Sequence, residues 1–329
     1  MSSISFSEVE ILTTAVGIEP LCGRLMNIGI NGFVINDPND FEDLLAHKNG
    51  NWDYIDDELM SLRDKTPSVT VYIPDNEQGA EMLMLLRSEI DALKQFAENN
   101  SLNFGELSLN IKNIREEDWA DNWKQYFKPF KCGEKLLVKP SWEDVTDSGG
   151  RTVLEIDPGS SFGTGQHHTT KLCLETLEKY IKPGQAVLDL GCGSGILGIA
   201  ASLLGASEVC GVDVEENSVK TAGENFAKNK ISKFTLHCGN IITDEDFADR
   251  LKGDYDIITV NIVADVIIAM SGIFAEFLKK GGVVILSGII KERADEVYTA
   301  MKTAGYKQIE ERESGGWVAA VFIEIEEED

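Results

Sequence analysis

The residues best suited to chemistry gather around one turn. Ala186-Val187-Leu188-Asp189-Leu190 is a short apolar run with one acid, and Gly191-Cys192-Gly193-Ser194-Gly195 follows it at once. The run predicts a buried strand. Glycines alternating with small residues predict a tight turn that lets a ligand approach the backbone closely. Ile196 to Leu204 is apolar and predicts a helix. Strand, turn and helix together make a cofactor cradle, with amide groups presented at the helix start.

Two cofactors use such a cradle. Gly193-Ser194-Gly195-Ile196-Leu197-Gly198 fits the dinucleotide pattern G-x-G-x-x-G, with Asp213 twenty residues after Gly193. The turn, however, begins at Gly191 directly against the strand, so the dinucleotide register starts two residues late. Asp189 is expected to face the glycine loop, where its carboxylate would repel a pyrophosphate and attract a sulfonium or ammonium group. Asp213 ends the next predicted strand, Val209 to Val212, where a carboxylate can accept two hydrogen bonds from ribose hydroxyls. Asn240 follows the third strand, Phe234 to His237, near the position expected for an adenine. The fourth strand, Tyr255 to Val260, stops at Asn261-Ile262. A glycine turn with no ligand is the blander reading of the same residues.

A second constellation competes. Gly159-Ser160-Ser161-Phe162-Gly163 fits the nucleophile elbow G-x-S-x-G, and His167 is near. An elbow runs from strand through serine straight into helix. Here Gly163-Thr164-Gly165 intervene before the predicted helix Lys171 to Tyr180, which argues against a serine hydrolase.

The elements that must position these residues suggest two domains in 329 residues. Strand-like stretches at 4–12, Gly32 to Ile35, Val69 to Ile73 and Leu107 to Ile111 alternate with predicted helices at Glu19 to Asn27 and Gly79 to Ala97. That order, β-α-β-β-α-β, is the order of a ferredoxin-like sandwich. Phe41 to Leu62 is polar and ambiguous. Glu116 to Phe127 predicts a linker helix with Trp119, Trp123, Tyr126 and Phe127 on one face, ended by Pro129. Leu136 to Pro140 and Thr152 to Ile156 predict a small strand pair, with Asp147-Ser148-Gly149-Gly150 as the turn. Beyond the cradle, Ser218 to Asn229 and Glu292 to Ala304 predict helices, Val283 to Ser287 a fifth strand, and Tyr306 to Glu313 with Trp317 to Ile325 a closing antiparallel hairpin. A hairpin closing an otherwise parallel sheet is not expected of a dinucleotide domain.

Charge and cysteines narrow the setting. The net charge of −26 argues against sequence-independent nucleic-acid binding, which needs cationic surface. Residues 1–128 hold 23 acids and 10 bases, a balance of −13, and no chemical constellation. An acidic domain without a site reads as a recognition module for a basic partner. Six scattered cysteines, with no C-x-x-C pair and no zinc spacing, predict no metal. The start lacks a signal-peptide pattern, no apolar run approaches membrane-spanning length, and a reducing cytoplasm is the expected setting.

Several stretches occur in one order: Trp119-Ala120-Asp121-Asn122-Trp123-Lys124-Gln125-Tyr126-Phe127-Lys128-Pro129, Asp157-Pro158-Gly159, Phe162-Gly163-Thr164-Gly165, His167, Thr169-Thr170, the cradle, and Asn261-Ile262. Together they resemble the PrmA family, class I S-adenosylmethionine-dependent methyltransferases that modify ribosomal protein L11. The resemblance covers nearly the whole chain and is strongest from Glu117 to Gly316. It implies a Rossmann-like α/β catalytic sheet with a smaller N-terminal ferredoxin-like α+β domain. The boundaries expected from it are 1–115 for substrate recognition, 116–130 for the linker and 131–329 for catalysis. It implies S-adenosylmethionine as cofactor, contacted by Thr170, Gly191, Asp213 and Asn261; Gly193, Phe162 and Asn240 are expected to line the same site. Lysine side chains and an N-terminal amine of L11 would be the acceptors, with Asn261 and His167 positioning them and no dedicated base. One departure is plain. The family usually reads Thr-His-Pro-Thr-Thr where this chain has Gln166-His167-His168-Thr169-Thr170, and loss of the proline is expected to free the loop at His168. The alternatives are a methyltransferase of another protein or a small molecule, and a non-catalytic module that binds a ribosomal protein or nucleotide.

Overall fold

The computed structural model describes residues 6–30, 32–38, 66–112, 127–157, 165 and 167–325. The chain divides into two compact units, Met1–Tyr126 and Phe127–Asp329. The ambiguous stretch Phe41 to Leu62, the aromatic helix expected at Glu116 to Phe127 (Phe127 apart) and the serine-containing loop 158–164 lie outside the described residues.

In the first unit, strands β1 (Phe6–Leu12), β2 (Phe33–Asn36), β3 (Ser68–Pro74) and β4 (Leu109–Lys112) form an antiparallel sheet in the order β2-β3-β1-β4. Helices Ala15–Asn27 and Glu77–Asn99 complete the β-α-β-β-α-β order expected from the sequence. Period-two alternation turns Val9, Ile11, Val69, Val71 and Ile73 to one face, where they are buried. Leu83, Leu86, Ile90 and Leu93 of the long helix are buried at helical spacing. Both helices start on side-chain caps: Thr14 Oγ1 accepts from Gly17 N, and Asn76 Oδ1 from Gly79 N.

The second unit carries a seven-stranded sheet. Its members are β8 (Ala186–Leu190), β9 (Glu208–Asp213), β10 (Phe234–Cys238), β11 (Tyr255–Asn261), β12 (Leu278–Ile290), β13 (Tyr306–Ser314) and β14 (Trp317–Glu324). They lie in the order β10-β9-β8-β11-β12-β14-β13. The first five run parallel, and the closing hairpin is antiparallel, with β14 inserted between β12 and β13. Parallel strands buried on both faces need apolar side chains at every position. Val187, Val209, Ile257 and Ile285 serve one core, under helices His168–Tyr180, Ile196–Leu203 and Glu216–Lys228. Leu188, Leu190, Val212, Ile258, Val260 and Leu286 serve the other, under helices Glu245–Leu251, Ala264–Met270 and Ala294–Thr303. The result is a three-layer Rossmann-like sandwich.

Three local features differ from expectation. Leu136–Lys139 (β6) and Thr152–Glu155 (β7) do pair, but in parallel, so Asp147 to Gly150 lies within a crossover and not in a hairpin turn. A short strand, Phe130–Cys132 (β5), adds to β6. Helices Glu245–Leu251 and Ala264–Met270 are seven residues each, too short for a periodic signal to separate from loop. Among the described residues, no helix is long and apolar enough to cross a membrane.

Candidate functional site at the reversal of strand order

The strand order reverses at β8, with β9 and β10 on one side and β11 on the other. Ligands of open α/β sheets bind beyond the carboxyl ends of the strands at such a point. Leu190 pairs with Val212 and with Val260, so Gly191, Asp213 and Asn261 stand together at the ends of three adjacent strands. Cys238 pairs with Asp213, which brings Asn240 to the same edge.

The glycine turn is built on backbone that only glycine adopts readily. Gly191, Gly193 and Gly195 have φ of 74°, 52° and 81°. The alternation of glycine with Cys192 and Ser194 is thus a conformational requirement. Gly191 and Cys192 both donate to the Val212 carbonyl, at 2.8 and 3.0 Å. Gly191 also lies so close to Ile262 that a Cβ would collide with that side chain. Gly288 kinks β12 (φ 80°) where the backbone of Ile262 approaches it.

Asp213 Oδ2 accepts from Gly193 N at 2.9 Å, and Oδ1 accepts from Glu215 N at 3.0 Å. Burial pushes its carboxyl above the usual range, and these amide bonds pull the other way. Each oxygen retains a lone pair for a ligand hydroxyl. Asp213 therefore organises the turn as well as presenting an acceptor.

Asp189 does not face the glycine loop, so its carboxylate is not placed there to repel a pyrophosphate or attract a sulfonium. The residue is buried. Its Oδ1 accepts from Thr259 Oγ1 at 2.7 Å, and its Oδ2 from Gly198 N at 3.2 Å. It ties β8 to β11 and to the first turn of helix Ile196–Leu203. Burial pushes its carboxyl up to about 6, against the pull of those two bonds.

His167, Thr169 and Thr170 sit at the start of helix His168–Tyr180, three residues earlier than the sequence suggested. His167 is the N-cap. Its Nδ1 accepts from Thr169 N at 3.3 Å and lies 2.7 Å from Thr169 Oγ1, which leaves the ring proton on Nε2. Its ring stands edge-on to Trp317 at 4.9 Å. Burial, with His168 and Lys171 adding, lowers its pKa to about 4, so the ring is neutral at neutral pH. His168 occupies the first helical position, where a proline fits without losing a hydrogen bond. In its place the His168 ring reaches Ser314, Nδ1 to Oγ 2.9 Å, and rests on Gly315. The loop end expected to be freed at His168 is instead fastened to the terminal hairpin. Gly165 abuts Ile196, the first residue of the cradle helix. Phe162 lies outside the described residues.

Two buried oxygens at this edge lack a hydrogen-bond partner: Thr170 Oγ1 and Asn261 Oδ1. A buried polar atom without a partner is costly, and a ligand that bonds it relieves that cost. Asn240 is engaged already, its Oδ1 accepting from Ile242 N at 2.9 Å. The donors, acceptors and close-approach glycines suit a nucleoside with a short polar tail. Sequence reasoning missed Thr259, Gly288 and Trp317. Thr259 interrupts the apolar run Ile257 to Val260, a signal that was open to reading.

The two titrations have opposite signs. His167 is depressed, so the unfolded chain takes up the proton first, and stability is lost as pH falls from about 6.5 to about 4. Asp189 is raised, so the folded chain takes up the proton first, and stability is gained as pH falls from about 6 toward 4. Each change is worth about 3 kcal/mol at 1.36 kcal/mol per unit. Urea unfolding across this range should show His167→Gln gaining stability relative to wild type as the solution is acidified, and Asp189→Asn losing it. Parallel profiles for all three proteins would contradict the assignment.

A family model described as ribosomal protein L11 methyltransferase (PrmA) matches residues 5–324. The ribosomal protein L11 methyltransferase of Thermoanaerobacter pseudethanolicus is 38% identical over 312 residues, 95% of this chain and 97% of that one. The protein of the same name from Acetivibrio thermocellus is 38% identical over 315 residues, 96% and 97% of the two chains. Among solved structures, the ribosomal protein L11 methylase of Lactobacillus delbrueckii subsp. bulgaricus superposes with a TM-score of 0.56 at 28% identity, covering 61% of this chain and 100% of that one.

Proposed function

The chain belongs to the ribosomal protein L11 methyltransferase family, and from that premise we propose that it transfers methyl groups from S-adenosylmethionine to amino groups of ribosomal protein L11. The observation that carries the cofactor reading is the pair of partnerless oxygens, Thr170 Oγ1 and Asn261 Oδ1, at the edge where Asp213 and the glycine turn meet. Asp213 would hold the ribose hydroxyls, the turn from Gly191 to Gly195 would lie against the tail, and Asn240 would border the base. S-adenosylmethionine supplies an activated methyl group on a sulfonium, so the protein needs no strong acid or nucleophile.

The task of the side chains is placement. An amine attacks only when neutral, and a desolvated site favours the neutral form. His167, uncharged at neutral pH, puts no positive charge against the amine. Asn261 Oδ1 accepts an amine N–H and aims the nitrogen lone pair. Calorimetry tests the cofactor: S-adenosylmethionine should bind the full chain, and NAD should not. Binding of NAD alone would overturn the reading.

Residues 1–115 are read as the recognition domain, 116–130 as the linker and 131–329 as the catalytic domain, within a cytoplasmic enzyme. The balance of −13 over residues 1–128 suits a basic ribosomal protein. Complementary charge speeds association more than it deepens the complex. The attraction fades as the Debye length falls from about 10 Å at 0.1 M salt to about 3 Å at 1 M. The KM for L11 should therefore rise with salt while the Kd for S-adenosylmethionine changes little. Equal sensitivity of both constants would assign the acidity to solubility.

A further inference from the structure

Asn225 lies on helix Glu216–Lys228 and is buried. Its Oδ1 accepts from Asp157 N at 3.1 Å. Its Nδ2 donates to Asp157 O at 3.1 Å and to Ser194 O at 3.0 Å. One side-chain amide thus uses its oxygen and both hydrogens. It treats the Asp157 peptide as a neighbouring strand would, filling donor and acceptor together. Its remaining bond goes to the middle of the glycine turn.

The same helix face repeats the grip. Asn229 accepts from Glu155 N at 2.9 Å and donates to Glu155 O at 2.6 Å. Lys228 Nζ lies 2.8 Å from the Asp157 carboxylate, which also accepts from Ser141 N and Ser141 Oγ, each at 2.7 Å. Positions i, i+3 and i+4 share one helix face, which is why these three side chains reach one segment. Lys228 and the Ser141 bonds hold the Asp157 carboxyl below its usual range, against its burial. Among these residues, Asn225 is the one that bonds both the segment and the glycine turn.

We propose that Asn225 is a positioning residue for the methyl-donor site, locking the Ser194 carbonyl of the glycine turn to the Asp157 peptide so that the turn keeps its binding shape. The inference rests on reading that turn as the S-adenosylmethionine site. Asn225→Asp keeps the shape and the acceptor but sets a carboxylate oxygen against two carbonyls. Two bonds are lost and buried acceptors are left unpaired.

The test is calorimetry with S-adenosylmethionine on full-length Asn225→Asp, Lys228→Met and Asn229→Ala, together with initial rates on L11. Asn225→Asp should raise Kd, and KM for S-adenosylmethionine, about ten-fold or more, with kcat at saturation retained. Acidification toward about pH 5 should restore part of the affinity, because a protonated aspartate can donate one bond. Lys228→Met removes a partly exposed hold on Asp157 and should raise Kd about two- to three-fold with the fold intact. Asn229→Ala should lower Tm and leave Kd within about two-fold, since Asn229 grips Glu155 and not the turn. An unchanged Kd for Asn225→Asp overturns the inference, as does an equal loss for Asn229→Ala. Should Asn225→Asp not fold, Asn225→Ser takes its place as the smaller change, and an unchanged Kd for that variant overturns it. A wild-type chain that does not bind S-adenosylmethionine overturns the cofactor reading itself, a result distinct from these.

Discussion

Asp213→Ala should weaken S-adenosylmethionine binding about a hundred-fold. The carboxylate has two tasks. It accepts from Gly193 N and Glu215 N, which fixes the turn and the start of the following helix. In the proposed complex its remaining lone pairs accept from the ribose hydroxyls. A hydrogen bond to a charged group is worth about 1.5–3 kcal/mol, and alanine removes the ligand's bonds while leaving two amides loose. At 1.4 kcal/mol per ten-fold, a loss of about 3 kcal/mol is a factor of about one hundred. Asp213→Asn, which keeps one acceptor, should fall between. Calorimetry on the three proteins decides it. An alanine variant within three-fold of wild type would mean that Asp213 does not meet the ligand.

Gly191→Ala should cost about 2–4 kcal/mol of stability and abolish cofactor binding. Gly191 has φ of 74°, a conformation that costs a residue with a Cβ about 1–2 kcal/mol. The added carbon would also collide with Ile262, next to Asn261. Moving Ile262 displaces the end of β11 and with it Asn261. A control has the opposite sign. Gly223 lies inside helix Glu216–Lys228, and a Cβ there would meet Leu236 at an ordinary 3.7 Å. Gly223→Ala should stabilise the protein by about 0.5–1 kcal/mol. Urea unfolding of both variants tests the contrast, and equal effects would contradict it.

Much of this arrangement could be read from residue order, because strong local patterns carry it. The alternation in Val69 to Ile73, the helical spacing of Leu83, Leu86, Ile90 and Leu93, and the strand-turn-helix from Ala186 to Leu203 each state their own conformation. Asp213 stands out in the sequence because it ends an apolar strand, where a polar residue has no packing reason to be, whereas the role expected of Asn261 came from the family resemblance. What failed was orientation. Asp189 sits one residue before Leu190, and nothing in the sequence says that the pleat aims it at Thr259 and Gly198 and away from the turn. The parallel pairing of β6 with β7 was likewise hidden, since a turn signal between two strands does not fix their direction. Asn225 and Asn229 are spaced like any solvated helix pair. Their bonds to Asp157, Ser194 and Glu155 are long-range contacts. His168 shows the same limit: its place in the helix is local, but its bond to Ser314 spans most of the catalytic unit.

Methyl transfer from S-adenosylmethionine to amino groups of L11 leaves a mass signature on the acceptor. Mass spectrometry reads that signature. Purified L11 is incubated with the full-length protein and S-adenosylmethionine, alongside Asp213→Ala. With the wild-type protein L11 should gain mass in methyl-sized steps, on lysine side chains or its N-terminal amine, and the variant should give little or none under the same conditions. L11 of unchanged mass beside a wild-type protein that binds S-adenosylmethionine would contradict that transfer, and would send the search to another acceptor.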